Sequence, residues 1–420
     1  MKVYLRTFGC RANHYDSEAV RAMLAAGGHT VVDAPGDADA AVFNSCAVTT
    51  EAEAELRKAV RRAARTKPAL RSVIMGCAAA LDRERPDAHG LSTLPSVSDV
   101  IGGADLGGVA AALGLEAAPV ALRTRAQTMT RAVLRVQDGC DEHCTFCATT
   151  IARGANRSRA ADDLVVEATM LAERHPEIVI TGIHIGSYGA DIGSSLGALM
   201  ERLVRDVPAV RFRLSSIEAT EVDARLLELL AGAPMRLAPH VHAPLQSGSD
   251  PVLKRMGRNW YTSATYSDAV ARIAARMPLL GLGADVITGF PGETDADHAA
   301  TVALVERLPF TYLHVFPFSR RPGTAAERIA GSVPSDVSQA RAAELRALAA
   351  AKASAHRASR AGTLADVIVI GHGRREGLTE DYLTVVPGDA TLPRATRFRA
   401  TLFAEADSLV ARAAAVVLSA

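Results

Sequence analysis

Apolar runs and amphipathic stretches alternate along the first ~105 residues. Val3 to Phe8, Ala40 to Phe43 and Ser72 to Met75 read as strands separated by helix-like segments, the pattern of a small α/β domain with a mostly parallel sheet. From Ala132 onward six further runs read as strands: Val133 to Gln137, Ile178 to Thr181, Val210 to Ser215, Leu237 to Ala243, Gly281 to Gly289 and Tyr312 to Phe318. Helix-like stretches such as Asp162 to Arg174, Asp223 to Leu230 and Asp295 to Leu308 separate them. That alternation predicts parallel strands with crossover helices, and six units are too few for the usual eight-fold closure, so the barrel should be partial. Its reactive end would lie at the carboxyl ends of the strands.

The Ala- and Arg-rich stretch Gly107 to Arg131 has no clear apolar period and reads as a linker or connecting helix. A long Ala-rich helix, roughly Val337 to Ala361, precedes short β-like runs at Ala365 to Gly371, Tyr382 to Val386 and Arg397 to Phe403. The fold class is therefore α/β: an N-terminal α/β domain over residues 1–106, a linker over 107–130, a partial (βα)6 barrel over 131–361 and a small C-terminal β-barrel-like module over 362–420.

A chain of 420 residues, 49% hydrophobic, is long enough for two to four domains. No segment reaches the ~18 uninterrupted apolar residues of a membrane span, and MKVYLRTFGC has no apolar signal core, so a cytoplasmic location is expected, with no membrane partner. In that reducing compartment the six cysteines read as metal ligands, catalytic thiols or buried apolar residues rather than disulfides. Net charge of +1 gives no global pull on a polyanion. A nucleic acid would have to meet local patches: Arg57, Lys58, Arg61, Arg62, Arg65 and Lys67; Arg153, Arg157 and Arg159; or Arg374, Arg375, Arg394, Arg397 and Arg399. Each of these also fits a solvated helix or loop face.

Cys140, Cys144 and Cys147 lie in QDGCDEHCTFC directly after the first barrel strand. Three thiolates on a tight loop can hold three irons of a 4Fe-4S cube and leave the fourth open to chelate S-adenosylmethionine. A closed zinc site would need a fourth protein ligand, and no residue stands at finger-like spacing. Cys10, Cys46 and Cys77 each follow an N-terminal strand almost at once, and loops at one edge of a parallel sheet would bring them together. Taken alone they fit small buried residues about equally well.

The three-cysteine spacing, with Phe146 just before the third cysteine, resembles the radical S-adenosylmethionine superfamily. FGCRANHYDSEA, NSCAVTTEAE, MGCAA, RGANRSR, RLSSIE, HAPLQSGSD, GFPGET and FPFSRRPGT resemble the tRNA methylthiotransferase family, in order and over essentially the whole chain. That resemblance implies an N-terminal cluster-binding domain, a radical barrel and a C-terminal TRAM-like tRNA-binding module. It makes Cys10, Cys46 and Cys77 the ligands of a second 4Fe-4S cluster with one open iron, which carries or donates sulfur. Phe146, Ser215, Ser216, Glu218 and Gly289 become candidate contacts of S-adenosylmethionine, although the serines equally fit helix caps and Gly289 a plain turn. Thr150, His14 and Ala219 depart from the family's usual residues, which bears on loop geometry and not on the cysteines.

TGIHIGSYG, from Thr181 to Gly189, resembles the branch that acts on N6-threonylcarbamoyladenosine. The implied reaction places sulfur and a methyl group on C2 of that nucleoside at position 37, next to the anticodon. The implied partners are the tRNA anticodon loop, a low-potential electron donor such as flavodoxin or ferredoxin, and a sulfur source. Other readings are methylthiolation of another modified adenosine or of a ribosomal protein residue, and a non-catalytic iron-sulfur RNA-binding protein.

Overall fold

The computed structural model describes residues 1–47, 50–115, 127–371, 376–406 and 408–413. The chain divides into two compact units, one of Met1–Thr124, Gln137–Arg157 and Ser319–Glu327, the other of Arg125–Val136, Ser158–Phe318 and Arg328–Ala420.

The first unit is built on five parallel strands: β1 (Lys2–Thr7), β2 (Thr30–Val32), β3 (Ala40–Ser45), β4 (Arg71–Gly76) and β5 (Val97–Gly102), in the order β2-β1-β3-β4-β5. The central strands β3 and β4 are almost wholly buried, which is why they read as unbroken apolar runs. β2 and β5 are short or half-exposed and give a weaker signal. The start of the expected linker is part of this unit: Leu106–Leu113 is a helix that buries Val109, Ala110, Ala112 and Leu113 against Val3, Val42 and Val73. The cysteine loop was expected to belong with the barrel. By packing it groups with this unit, Ala148 and Ala152 lying on Leu81 of the helix Cys77–Glu84.

The second unit holds the six expected barrel strands. β6 (Ala132–Arg135) is followed by β7 (Gln137–Asp138) and β8 (Arg157–Ser158), a short pair flanking the cysteine loop. Then come β9 (Glu177–Thr181), β10 (Arg211–Leu214), β11 (His240–His242), β12 (Gly281–Thr288) and β13 (Tyr312–Pro317). β6-β9-β10 and β11-β12-β13 pair in parallel, and bridges from Phe212 to Leu237 and from Ser216 to His242 join the two sets. Alternate side chains, among them Leu134, Ile180, Phe212, Val241, Ala284 and Val315, pack against the crossover helices. The intervening residues line the opposite, inner face, as strand alternation requires. That face is polar: Glu177, Arg211, Arg213, His240, His242, Asp285, Tyr312 and His314.

The helix Ser335–Arg360 leads to a closed barrel of β14 (Leu364–Val369), β15 (Gly377–Leu378), β16 (Thr384–Pro387), β17 (Arg397–Glu405) and β18 (Ser408–Ala413). The module docks through buried charge. Glu177 receives Arg211 at 2.6 Å and Arg213 at 2.9 Å, and Arg131 approaches to 3.3 Å. Arg211 also donates to Asp366 at 2.9 Å, and Arg213 to the carbonyls of Thr379 and Glu380 at 2.9 Å. The Thr379–Tyr382 turn thus reaches the start of the strands, where Gly281 has no side chain and lies against the Asp381 carbonyl. Tyr382 stacks on His240 at 4.4 Å and lies 5.4 Å from Tyr312.

Candidate active site

In the first unit, Cys10, Cys46 and Cys77 stand at the carboxyl ends of β1, β3 and β4, one edge of one sheet. Gly9 and Gly76 precede two of them with φ of 95° and 99°, a conformation that lets the chain turn from strand directly into helix. Cys10 caps the helix Arg11–Ala26, and Cys77 opens the helix Cys77–Glu84. Helix N-termini favour negative charge and so suit thiolate ligands. A side chain on Gly9 would strike Cβ and Sγ of Cys46, which brings the first and second cysteine loops into contact.

Asn13 ties the three loops together. Its Nδ2 donates to the Phe8 carbonyl at 2.9 Å and the Ser45 carbonyl at 2.8 Å, and its Oδ1 lies 3.9 Å from both Cys10 Sγ and Cys77 Sγ. Ser45 continues the brace, its hydroxyl donating to the Met75 carbonyl at 2.6 Å. Arg153 comes from the helix Thr149–Arg153, just past the second cysteine triad, and donates to Cys77 Sγ at 3.2 Å, Asn13 Oδ1 at 2.8 Å and Asp16 Oδ2 at 2.7 Å. Burial pushes the Cys77 thiol up to about 12, while Arg153 pulls it the other way. Sequence reasoning grouped Arg153 with a basic surface patch; it is buried, and its signal was the position inside RGANRSR, not its charge.

Cys140, Cys144 and Cys147 are half-buried on a loop closed by the Cys140 amide donating to the Gly154 carbonyl at 3.0 Å. The Cys147 amide donates to the Cys144 carbonyl at 3.1 Å, and the Thr149 amide lies 3.4 Å from Cys147 Sγ. The six cysteines are free thiols, and the donor sets fit thiolate-bound iron-sulfur clusters. Thr150 lies inside the short helix and its carbonyl accepts from Gly154 at 2.8 Å, so this departure from the family pattern is accommodated.

In the second unit, Ser215 and Glu218 are buried and Ser216 is exposed. Glu218 pairs through Oε1 with Arg258, and its Oε2 is buried without a hydrogen-bond partner among the described residues. Burial raises its pKa. An orphaned carboxylate oxygen suits a ligand amine or hydroxyl, the donors S-adenosylmethionine carries. Gly289, expected as a cofactor contact or a plain turn, lies beside the long helix. Its φ of 72° and bare Cα accommodate Ser338 of the long helix, and its amide donates to Glu293 Oε2 at 2.5 Å.

Two of the proposed RNA-facing arginines are also otherwise engaged. Arg397 binds Asp366 at 2.7 Å and the Met235 carbonyl at 2.6 Å, and Arg394 donates to the Thr128 carbonyl at 3.0 Å. Arg399 is exposed, whereas Arg374 and Arg375 lie outside the described residues. On the helix Thr50–Thr66, Lys58, Arg61, Arg62 and Arg65 are exposed, but Arg57 pairs with Glu53 at 2.8 Å.

The three-cysteine loop after the first of six parallel barrel strands is the pattern of a radical S-adenosylmethionine enzyme. The Radical SAM superfamily model matches residues 134–305, and that of the Uncharacterized protein family UPF0004 matches residues 2–93. A solved structure of the radical S-adenosylmethionine methyltransferase TsrM from Kitasatospora setae shares the fold at a TM-score of 0.58 and 15% identity, covering 77% of this chain and 74% of that one. Threonylcarbamoyladenosine tRNA methylthiotransferase MtaB from Thermotoga maritima is 36% identical over 79% of this chain and 78% of the relative. MtaB from Aquifex aeolicus is 31% identical over 92% and 96%. The tRNA-2-methylthio-N(6)-dimethylallyladenosine synthase of Rhodopirellula baltica is 35% identical over 82% and 78%. The chain belongs to the tRNA methylthiotransferase family of radical S-adenosylmethionine enzymes. It uses S-adenosylmethionine and 4Fe-4S chemistry, and the non-catalytic scaffold reading falls away. Among the described residues no helix is long and apolar enough to cross a membrane.

Proposed function

We propose that the enzyme methylthiolates C2 of N6-threonylcarbamoyladenosine at position 37 of tRNA, in the cytoplasm. The observation that carries the reading is the presence, in one compact unit, of two cysteine triads, with Arg153 from just past one of them bonded to Cys77 of the other. The relatives named for threonylcarbamoyl and dimethylallyl substrates lie at similar identity, so the choice of substituent rests on TGIHIGSYG and on the polar inner face of the barrel.

Cys140, Cys144 and Cys147 would hold the cluster that reduces S-adenosylmethionine to a carbon radical, and Cys10, Cys46 and Cys77 the cluster that supplies sulfur. The protein's share of the work is placement. Asn13 and Ser45 fix the N-terminal thiols, Phe146 flanks the radical loop, and the orphaned Glu218 oxygen accepts from the cofactor, with Ser215 and Ser216 as the nearby strand-end hydroxyls. Holding reactants in register can contribute ~7 kcal/mol or more to a barrier. Electrons would come from flavodoxin or ferredoxin, and sulfur from a separate donor.

The test is nucleoside mass spectrometry on tRNA carrying threonylcarbamoyl- or dimethylallyl-adenosine after incubation with reconstituted enzyme. The expected result is a 2-methylthio product from the first, with about eight irons per chain. Replacing Cys140, Cys144 and Cys147 by alanine should remove about half the iron and all 5′-deoxyadenosine. Replacing Cys10, Cys46 and Cys77 should keep 5′-deoxyadenosine and abolish product. Product only from the dimethylallyl substrate would overturn the assignment.

A further inference from the structure

The inner face of the barrel carries a polar group that no step above uses. His242 closes β11, Asp285 lies within β12 and His314 is on β13, three neighbouring parallel strands. Asp285 Oδ1 is 3.1 Å from His242 Nε2 and 3.1 Å from His314 Nδ1. The Tyr312 hydroxyl holds the other side, 3.0 Å from His242 Nδ1 and 2.8 Å from His240 Nε2. These groups form the layer next to the Tyr382 turn, further along the strands toward their carboxyl ends. Burial works to raise the pKa of Asp285, but the two imidazoles overcome it and keep the carboxylate ionised.

His314 differs from its partners in facing outward, with a side chain 54% exposed. The carboxylate of Asp285 accepts, so Nδ1 of His314 carries the proton and Nε2 is turned away from Asp285. Nε2 is thus the ring nitrogen left to meet a ligand, and a protonated ring donates from both nitrogens. Two residues along the same face, Phe316 is 42% exposed. An outward imidazole nitrogen beside an exposed aromatic ring suits a ligand whose anionic end accepts from the protonated ring and whose aliphatic part covers the phenyl face.

The two N6 substituents at issue differ in this respect. Dimethylallyl is hydrocarbon throughout and offers no acceptor to the outward nitrogen of His314. Threonylcarbamoyl ends in a carboxylate next to a short branched carbon chain. We propose that His314, oriented by Asp285, is a specificity-determining residue that binds the carboxylate of the N6 substituent, with Phe316 covering its aliphatic part. This rests on the proposed threonylcarbamoyl substrate and assigns the end of it that the barrel reads.

The experiment compares initial rates of the reconstituted enzyme on threonylcarbamoyl tRNA and on the same tRNA after amidation of that carboxylate. Wild type, His314→Phe and His314→Gln are measured with each. A charge-assisted hydrogen bond of ~1.5 to 3 kcal/mol predicts that His314→Phe raises KM about ten- to hundredfold on the acid. It should change KM on the amide no more than about twofold, leave kcat less affected than KM, and place His314→Gln in between. Equal effects on acid and amide, or none on either, would overturn the proposal. So would stoichiometric zinc in the wild type that is lost from both variants, since the trio would then be a metal site. Iron content checks that each variant has folded, and His314→Gln serves if the larger phenylalanine does not fit. A wild type active on dimethylallyl tRNA alone defeats the parent assignment before any variant is made.

Discussion

Arg153 Nε lies 3.2 Å from Cys77 Sγ, a cation from just past one cysteine triad touching a thiol of the other. The same guanidinium neutralises Asp16, whose carboxylate is fully buried. Hydrogen bonds to ligand sulfur raise the reduction potential of an iron-sulfur centre. Arg153→Lys, which keeps the charge but loses the forked geometry, should retain about eight irons and shift the potential of the N-terminal cluster downward, as read by redox titration followed by electron paramagnetic resonance. Arg153→Ala removes the guanidinium that pairs with the buried Asp16 carboxylate, with an expected loss of ~3 to 5 kcal/mol in denaturant unfolding of the apoprotein. An unchanged potential in the lysine variant would reduce the contact to packing.

Glu177 is the hub on which the C-terminal module is docked. Glu177→Gln removes the only carboxylate that Arg213 pairs with among the described residues and leaves buried guanidinium groups undercompensated. The expected cost is ~3 to 5 kcal/mol by urea unfolding. Exposed pairs such as Arg276–Glu228 should cost under ~1 kcal/mol when broken.

The same junction predicts acid sensitivity. Burial opposes ionisation of Glu177, but Arg213, Arg211 and Arg131 hold its pKa well below the usual range. Asp381 is likewise depressed: His356 and Arg360 outweigh its burial. Groups with lowered folded pKa contribute stability above their unfolded value, about 4, and that stability is lost as pH falls through the folded value. Glu380 runs the other way, raised by burial, and offsets part of the loss. The melting temperature should therefore fall below about pH 4, and less steeply in Glu177→Gln.

For tRNA binding, Arg399→Ala should reduce the slope of log affinity against log salt by about 0.7 to 0.9, the value of one phosphate contact, with stability unchanged. Arg397→Ala should instead lower the melting temperature, because it opens the Asp366 pair. If Arg399→Ala leaves the slope unmoved, the exposed row Lys58, Arg61, Arg62 and Arg65 becomes the surface to test.

Much of this architecture was legible because its signals are local. β3 and β4 are continuous apolar runs, β12 and β13 alternate, and Gly9–Cys10 and Gly76–Cys77 mark strand-to-helix turns carrying thiols. The missed features depend on residues distant in sequence. Arg153 lies 76 positions from Cys77, and Asp366 lies 155 from Arg211, so their charges read as surface until the fold pairs them. Arg397 illustrates the same limit: its charge placed it in a basic patch, while the fold pairs it with Asp366. The glycine at position 289 fitted a ligand contact or a plain turn equally, and only the long helix shows that a side chain there would meet Ser338.

The Tyr382 ring closes the base of the barrel from outside it, so the module after the long helix behaves as a bung and not as a tethered accessory. Grafting a foreign domain onto Arg360 would preserve the covalent chain yet uncover Arg213, His240 and Tyr312, which the Tyr382 ring packs against. A working chimera would have to bring an equivalent aromatic tip. Exchange of this module is thus limited by one side chain at the end of a turn, at a φ of 73° that asparagine or glycine would adopt more readily but could not fill.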